Sequence, residues 1–262
     1  MSMQSNANRG FDLLTGGGDR YVTVWRKSKQ GGWEVEDQLG PHTGWVKDLA
    51  SSRCPANSIS MHADSAHHVE DGTFVFSIGC NCIEVWYVVD GKYQHEHKLQ
   101  IESSVEMGST LSSDLLCLAT HSDCGTKNGA ENANYLFAGG VDGCIHRWSM
   151  HNNKFHDAGI ISAHNGRVNA MLVCQAMNVL ISIGNDGYVN CRLMDNPNPS
   201  KWEVISLNVA DCGGFAERRG SNSSLAQGKI TSSCIVHEAP NRATIAIGTA
   251  CGKIALVNIF KS

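Results

Sequence analysis

Five times along this chain an apolar run leads into a turn of small residues, and a second run ends in a bulky side chain. The segments are LLTGGGDRYVTVW (13–25), FVFSIGCNCIEVW (74–86), LFAGGVDGCIHRW (136–148), LISIGNDGYVNCRL (180–193) and IAIGTACGKIALV (245–257). Apolar residues alternate with others on both sides of a Gly or Asp/Asn turn, so each segment predicts a tight β-hairpin. In four copies a further short strand follows, opened by an aromatic: Trp33, Tyr93, Phe155 and Trp202. A histidine stands nine residues beyond that aromatic in two copies, at His42 and His164. A third element begins there. HTGWVKDLA (42–50) aligns with HNGRVNAML (164–172), and QGKITSSCI (227–235) keeps the glycine and apolar positions without the histidine.

Three elements recurring in one order predict a repeat of about four strands. Such a unit cannot bury its faces alone, so the units must stack. Trp25 to Trp86 is 61 residues, Trp86 to Trp148 is 62, Trp148 to Leu193 is 45 and Leu193 to Val257 is 64. The shortest step is a bare four-stranded unit. The longer steps carry polar inserts at about 53–71, 121–134 and 211–228, which read as loops. Residues 1–10 are polar and read as a segment ahead of the first unit, with the repeats filling 11–262. The last unit stops after a third strand, giving about 18 strands where five units of four need about 20. The expectation is therefore an incomplete array: a piece of a longer one, or one completed by a partner strand.

The repeats resemble those of the WD-repeat family, whose blade signature is a Gly-His pair, an Asp-Gly turn and a Trp-Asp ending. Asp142-Gly143 with Trp148, and Asp19 with Trp25, fit the second half of that signature. The resemblance implies an all-β β-propeller of WD-repeat type with about five recognisable four-stranded blades, incomplete or part of a seven-bladed ring. It also implies a hydrogen-bonded chain of His, Ser/Thr, Asp and Trp that staples each blade. That chain maps onto His164, Ser182 and Asp186, with Arg192 at the Trp position, and onto His42, Ser77, Asn81 and Trp86. No blade has the complete set, and Pro41 and Ala163 replace the glycine before each histidine. Within the family, residues 16–49 are similar to the small propeller subunit of vesicle and nuclear-pore coats.

Composition narrows the function. The chain has 262 residues, a formal net charge of −4, 42% hydrophobic and 18% charged residues, which suits a globular protein with a core. An acidic balance without a basic stripe argues against nucleic acid as a direct ligand. No apolar run reaches the roughly 18–20 residues of a membrane helix, so no membrane insertion is expected. The 11 cysteines are scattered through apolar runs, the usage of a reducing compartment, and a cytoplasmic or nuclear location follows.

Candidate chemistry is sparse. The insert holding Cys54, His62, Asp64, His67 and His68 has metal-ligand residue types at no standard spacing, and no metal is expected. His95 and His97 alternate in a strand, which predicts a shared face. Nucleophile elbows and phosphate loops are absent, so neither a cofactor nor catalysis is expected. The family resemblance instead implies a binding face, at the residues after the His-x-Gly element and at the turns. Those are Trp45 and Lys47, Arg167 and Asn169, Lys229 and Thr231, with Gly18, Val141 and Asn185. Trp45 and Arg167 are of types enriched at interface hot spots. Lys47, Arg167 and Lys229 make an acidic or phosphorylated peptide of another protein the expected ligand. The function expected is a non-catalytic scaffold or adaptor. A structural coat subunit and an RNA-processing or RNA-modification cofactor are the alternatives.

Overall fold

The structure is a computed structural model and describes residues 2–6, 10–28, 30–53, 72–101, 114–122, 134–151, 154–196, 198–208, 230–249 and 252–261. These residues hold 19 β-strands and a 3₁₀ turn at Pro199–Lys201, with no α-helix. No helix among them is long and apolar enough to cross a membrane.

The strands form five small antiparallel sheets. The first is β1 (Ser2–Asn6), β2 (Gly10–Gly16), β3 (Val22–Lys27) and β4 (Trp33–Leu39), hydrogen-bonded in that order. The second is β5 (Val46–Arg53), β6 (Thr73–Gly79), β7 (Cys82–Val89) and β8 (Lys92–Gln100). The third is β9 (Leu115–Ser122), β10 (Asn134–Gly140), β11 (Cys144–His151) and β12 (Lys154–Ser162), and the fourth β13 (Val168–Cys174), β14 (Val179–Gly184), β15 (Tyr188–Leu193) and β16 (Val204–Asn208). The fifth has three strands: β17 (Ile230–Ala239), β18 (Arg242–Thr249) and β19 (Ile254–Phe260).

All five predicted hairpins are present, as β2–β3, β6–β7, β10–β11, β14–β15 and β18–β19. Turn chemistry makes them. Gly143 and Gly187 adopt φ of +82° and +85°, a region that costs a residue with a Cβ about 1–2 kcal/mol. At Gly143 a Cβ would also collide with the His164 carbonyl oxygen. The second hairpin is one residue tighter: Gly79 pairs with Cys82, and Cys80 takes the left-handed conformation at φ +59°.

The reading of residues 1–10 as a polar segment outside the first sheet is corrected. Ser2–Asn6 is β1, paired with β2 from Ser2↔Leu14 to Asn6↔Gly10. A ladder is built from backbone N–H and C=O groups, so a strand at a sheet edge needs no apolar side chains to form.

The chain divides into two compact units, 1–136 with 148–158 and 137–147 with 159–262. In the first, Leu14, Val22 and Val24 of the first sheet pack against Val46, Val75 and Trp86 of the second. On the other face of β6, Phe74 and Phe76 meet the edge of Phe155 at 5.7 and 5.6 Å. Strand β6 is thus buried on both faces, which explains the consecutive Phe74, Val75 and Phe76, and each buried Phe contributes roughly 1.5–3 kcal/mol. In the second unit, Ile181, Ile183 and Val189 pack against Ile230, Ile245 and Ile247. Trp202 there lies against Phe137 (6.4 Å) and under the Arg147 guanidinium (5.7 Å).

Candidate interaction sites and the histidine networks

The first strands of three sheets share one irregularity. In β5 the pairing jumps from Val46↔Gly79 to Leu49↔Ser77, so Lys47 and Asp48 stand opposite a single residue. In β13 Val168↔Gly184 is followed by Ala170↔Ile183, leaving Asn169 as the extra residue. In β17 Ile230↔Thr249 is followed by Ser232↔Gly248, leaving Thr231. These are β-bulges, which bend a strand and re-aim its side chains. Lys47, Asn169 and Thr231 were singled out from sequence as partner-facing, and all three lie on this repeated device.

Each of the other predicted positions has a definite place. Trp45 is 71% exposed, with its indole beside Gly18. Arg167 and Asn185 are exposed and joined through backbone, Asn185 N–H donating to the Arg167 carbonyl at 2.9 Å. Val141 is half-buried in its turn. The Asn169 amide donates to the Ile230 carbonyl (3.0 Å) and the Thr231 hydroxyl to the Gly248 carbonyl (3.3 Å). Lys229 lies outside the described residues, as does the insert holding Cys54, His62, Asp64, His67 and His68. Lys47 is not an unpaired cation: its ammonium meets the Asp114 carboxylate at 3.0 Å. That weakens the ring of positive charge expected from sequence.

A residue missed by sequence reading stands beside it. Strands β2 and β5 frame a cavity of about 270 Å³ lined by Leu14, Thr15, Gly16, Val46, Lys47, Asp48 and Leu49. The Asp48 carboxylate accepts the Leu49 N–H (2.8 Å) and, from β9, the Leu118 N–H (2.7 Å). Burial pushes its pKa up, and those two N–H bonds oppose the shift. Only an aspartate followed directly by the apolar Leu49, in Val46-Lys47-Asp48-Leu49, could have signalled it.

The expected staples exist in altered form. His42 is 2% exposed and Ser77 fully buried. The Trp86 indole N–H donates to Ser77 Oγ (3.1 Å), and Ser77 Oγ lies 2.6 Å from His42 Nε2. His42 Nδ1 is 3.0 Å from the Arg20 carbonyl, which can only accept. The chain therefore runs in one direction: Nδ1–H donates to Arg20, and Nε2 accepts the serine proton. The fourth member is corrected from Asn81 to the Arg20 carbonyl. Asn81 sits in the short turn and offers its own carbonyl to Ile101 N–H (3.3 Å).

In the fourth sheet His164 Nδ1 faces both oxygens of Asp186 (3.1 and 3.2 Å), and its Nε2 is 3.0 Å from Ser182 Oγ. Arg192 Nη1 donates to the same hydroxyl at 2.9 Å, from the position of Trp86. Asp186 also accepts Asn165 N–H (2.9 Å) and Tyr188 N–H (3.1 Å). A Cβ on Gly184 would collide with both Asp186 and His164. Burial lowers the pKa of both histidines; the Arg20 hydrogen bond opposes this at His42 and Asp186 at His164. Both are neutral near pH 7.

The remaining blade positions are simpler. Trp25 donates to Thr15 Oγ1 (2.9 Å), and Asp19 accepts Tyr21 N–H (3.2 Å). Asp142 accepts Cys144 N–H (2.9 Å) and pairs with His146 (3.4 Å), which lowers its pKa; Trp148 is buried.

The shared face expected for His95 and His97 is corrected. His97 pairs with Val85 and His95 with Trp86, so Glu96 is a bulge and the two rings point to opposite faces. His95 binds Glu84 (2.7 Å) and packs edge-on against Trp86 (4.9 Å), whereas His97 meets Phe155 (6.1 Å). Sequence reading also missed a clamp between the first two sheets. Arg26 grips both oxygens of Asp12 (2.9 and 3.0 Å) and reaches Glu36 (2.6 Å), while Tyr93 donates to Asp12 (3.1 Å).

Cys174 and Cys191 are pushed up to about 11 by burial, which keeps them as thiols, poor nucleophiles, near neutral pH. No family model matches the chain, and the comparison with curated proteins finds no significant similarity.

Proposed function

We propose that this chain is a WD-repeat-type β-propeller, or part of one, and that it works as a non-catalytic scaffold presenting its bulge and turn residues to partner proteins. The observation that carries the reading is the bulge repeated in β5, β13 and β17. Regular pairing would serve stability alone, whereas bulges turn chosen side chains out of the ladder. The residues turned out differ from sheet to sheet, which suits recognition of an asymmetric partner. The titratable groups support binding over catalysis. His42, His164 and Asp186 spend their hydrogen-bonding capacity on neighbours in the fold.

The test is affinity capture of the tagged chain from its native cells beside the double variant Trp45→Ala, Arg167→Glu, with circular dichroism to verify folding. Defined partners that disappear with the folded variant support the scaffold reading and assign binding to one or both of these residues. Partners that survive the double variant transfer binding to the inserts. Capture of no defined partner by either protein overturns the reading.

A further inference from the structure

We propose that the open edge of β19 takes up an extended strand of a partner protein, apolar at its centre and acidic at its ends, as the fourth strand of the fifth sheet. This deepens the scaffold reading and rests on it for the existence of a cellular partner, though not for the site. The other four sheets each have a fourth strand beyond the hairpin, whereas among the described residues β19 is bonded to β18 alone. Those fourth strands are blunted as edges. β4 carries Glu34, Glu36 and Asp37, β8 carries Lys92, Glu96 and Lys98, β12 carries Lys154 and Asp157, and β16 is only five residues long. Such devices discourage further pairing. Ile254–Phe260 has none of them: it reads IALVNIF, without charge or proline, and its register on β18 runs from Gly248↔Ile254 to Arg242↔Phe260 with no bulge.

The ladder fixes what this edge offers. The Lys253 carbonyl accepts Thr249 N–H and Lys261 N–H donates to the Asn241 carbonyl, both at 3.0 Å, so Ala255, Val257 and Ile259 between them turn their N–H and C=O groups to β18. The alternate residues, Ile254, Leu256, Asn258 and Phe260, turn theirs outward. Three of these four also expose large apolar side chains: Ile254 is 75%, Leu256 64% and Phe260 66% exposed, while Val257 and Ile259 pack against the core. An added strand meets backbone groups and apolar side chains together, a mode in which ladder bonds supply affinity and alternate side chains supply specificity. Charge sets the ends. Residues 242–261 hold Arg242, Lys253 and Lys261 and no acid, in a chain of net charge −4. Arg242 donates to Asn258 Oδ1 (3.1 Å) and lies over the Phe260 ring (5.6 Å), and Lys261 donates to the Met177 carbonyl (3.3 Å), all neutral partners. A carboxylate at Ser262 would offset one of the three charges and leave two. Where a fourth strand is present it answers such charge: Glu36 of β4 meets Arg26 of β3 at 2.6 Å, and Lys98 of β8 meets Glu84 of β7 at 3.4 Å. A second copy answers it poorly, since full antiparallel overlap sets Lys253 of each copy opposite Lys261 of the other.

The experiment titrates the full chain with three capped peptides: alternating Val and Thr between glutamate ends, the same between lysine ends, and the glutamate peptide N-methylated where its N–H groups would face β19. The readouts are amide exchange at Ile254, Leu256, Asn258 and Phe260, and sedimentation of the chain alone. Methylation removes ladder donors from the peptide, so the protein itself need not change. The expected result is saturable binding of the glutamate peptide with protection of those amides, weakened about tenfold or more by lysine ends and by methylation. Leu256→Pro should weaken it likewise, because the N–H it removes points away from β18 and the existing ladder stays whole. Equal binding of the methylated peptide overturns the proposal, as do preference for lysine ends, absence of protection, and unchanged binding to the folded Leu256→Pro variant. A concentration-dependent dimer of the chain alone that protects the same amides also overturns it and gives the edge to a second copy. If the glutamate peptide binds but native cells yield no partner, the site stands and the scaffold reading fails. If partners are captured but no peptide protects the edge, the reverse holds.

Discussion

The second and fourth sheets solve the same problem with different chemistry. Each has a buried histidine whose Nε2 meets a fully buried serine, and each serine also receives a donor from the next strand. At the two ends they part. The second sheet closes its chain with a backbone carbonyl, Arg20, and an indole, Trp86. The fourth uses a carboxylate, Asp186, and a guanidinium, Arg192. What both keep is the direction of the hydrogen bonds around a neutral imidazole. The identity of the end groups is open to change so long as an acceptor faces Nδ1 and a donor faces the serine. The uncharged version depends on few side chains; the charged version concentrates its risk in Asp186.

The largest expected effect follows from that concentration. Asp186→Ala removes the acceptor for His164 and for the N–H groups of Asn165 and Tyr188. Hydrogen bonds to charged groups contribute about 1.5–3 kcal/mol each, without simple additivity. A loss of about 3 kcal/mol or more is expected in urea unfolding. A loss below about 1 kcal/mol would show that water replaces the carboxylate and that the network is incidental.

Removing the bridging hydroxyls should rank next, and unequally. Ser182→Ala leaves a buried guanidinium without its acceptor at that nitrogen, whereas Ser77→Ala leaves a neutral indole N–H. We expect about 2–3 kcal/mol for the first and about 1–2 kcal/mol for the second. Equal losses in paired denaturation curves would mean that the guanidinium is held well enough without the serine, through the bond that its Nη2 already donates to the Ala163 carbonyl at 3.4 Å.

Acid sharpens the comparison further. Burial holds both histidines below the ordinary imidazole pKa of 6.5 in the folded chain. The unfolded chain then binds more protons, so the stability they contribute is complete above about pH 6.5 and is lost as pH falls toward the folded pKa. Asp186 opposes the depression at His164, whereas a carbonyl hydrogen bond does so at His42. Asp186→Asn should therefore steepen the fall in stability below about pH 6.5, and His164→Gln in the same background should abolish the added slope. An unchanged slope in Asp186→Asn would place the carboxylate outside the titration of His164.

These networks also show what a sequence can reveal. Hairpins were legible because their turns need particular residues, Gly143 and Gly187 among them. Ser182, Asp186 and His164 were legible because all three partners are side chains at recurring positions. Strand β1 was not, since its pairing uses backbone alone. The bulge at Glu96 was hidden for a related reason: one extra residue reverses the faces of His95 and His97 without altering the alternation of letters. Asp48 was obscure because Leu118, whose N–H it accepts, lies 70 residues away, and nothing local marks that pairing.

The smallest expected effect isolates the most specific of these corrections. A repeat-based alignment puts Asn81 where Asp186 stands, and if that equivalence were physical, Asn81→Ala would release His42. The geometry gives His42 a carbonyl acceptor instead, held by the same backbone that receives His42 N–H at 2.9 Å. No side-chain substitution at Arg20 or Asn81 removes that acceptor. Asn81→Ala should then behave as an ordinary turn substitution, within about 0.5 kcal/mol of the parent. A cost approaching that of Asp186→Ala would show that the amide of Asn81 holds His42, and that the two sheets are stapled alike after all. A near-zero cost leaves the second sheet with a staple whose terminal acceptor is insulated from side-chain substitution. That explains how the repeat can lose its aspartate there while its histidine, serine and tryptophan remain joined.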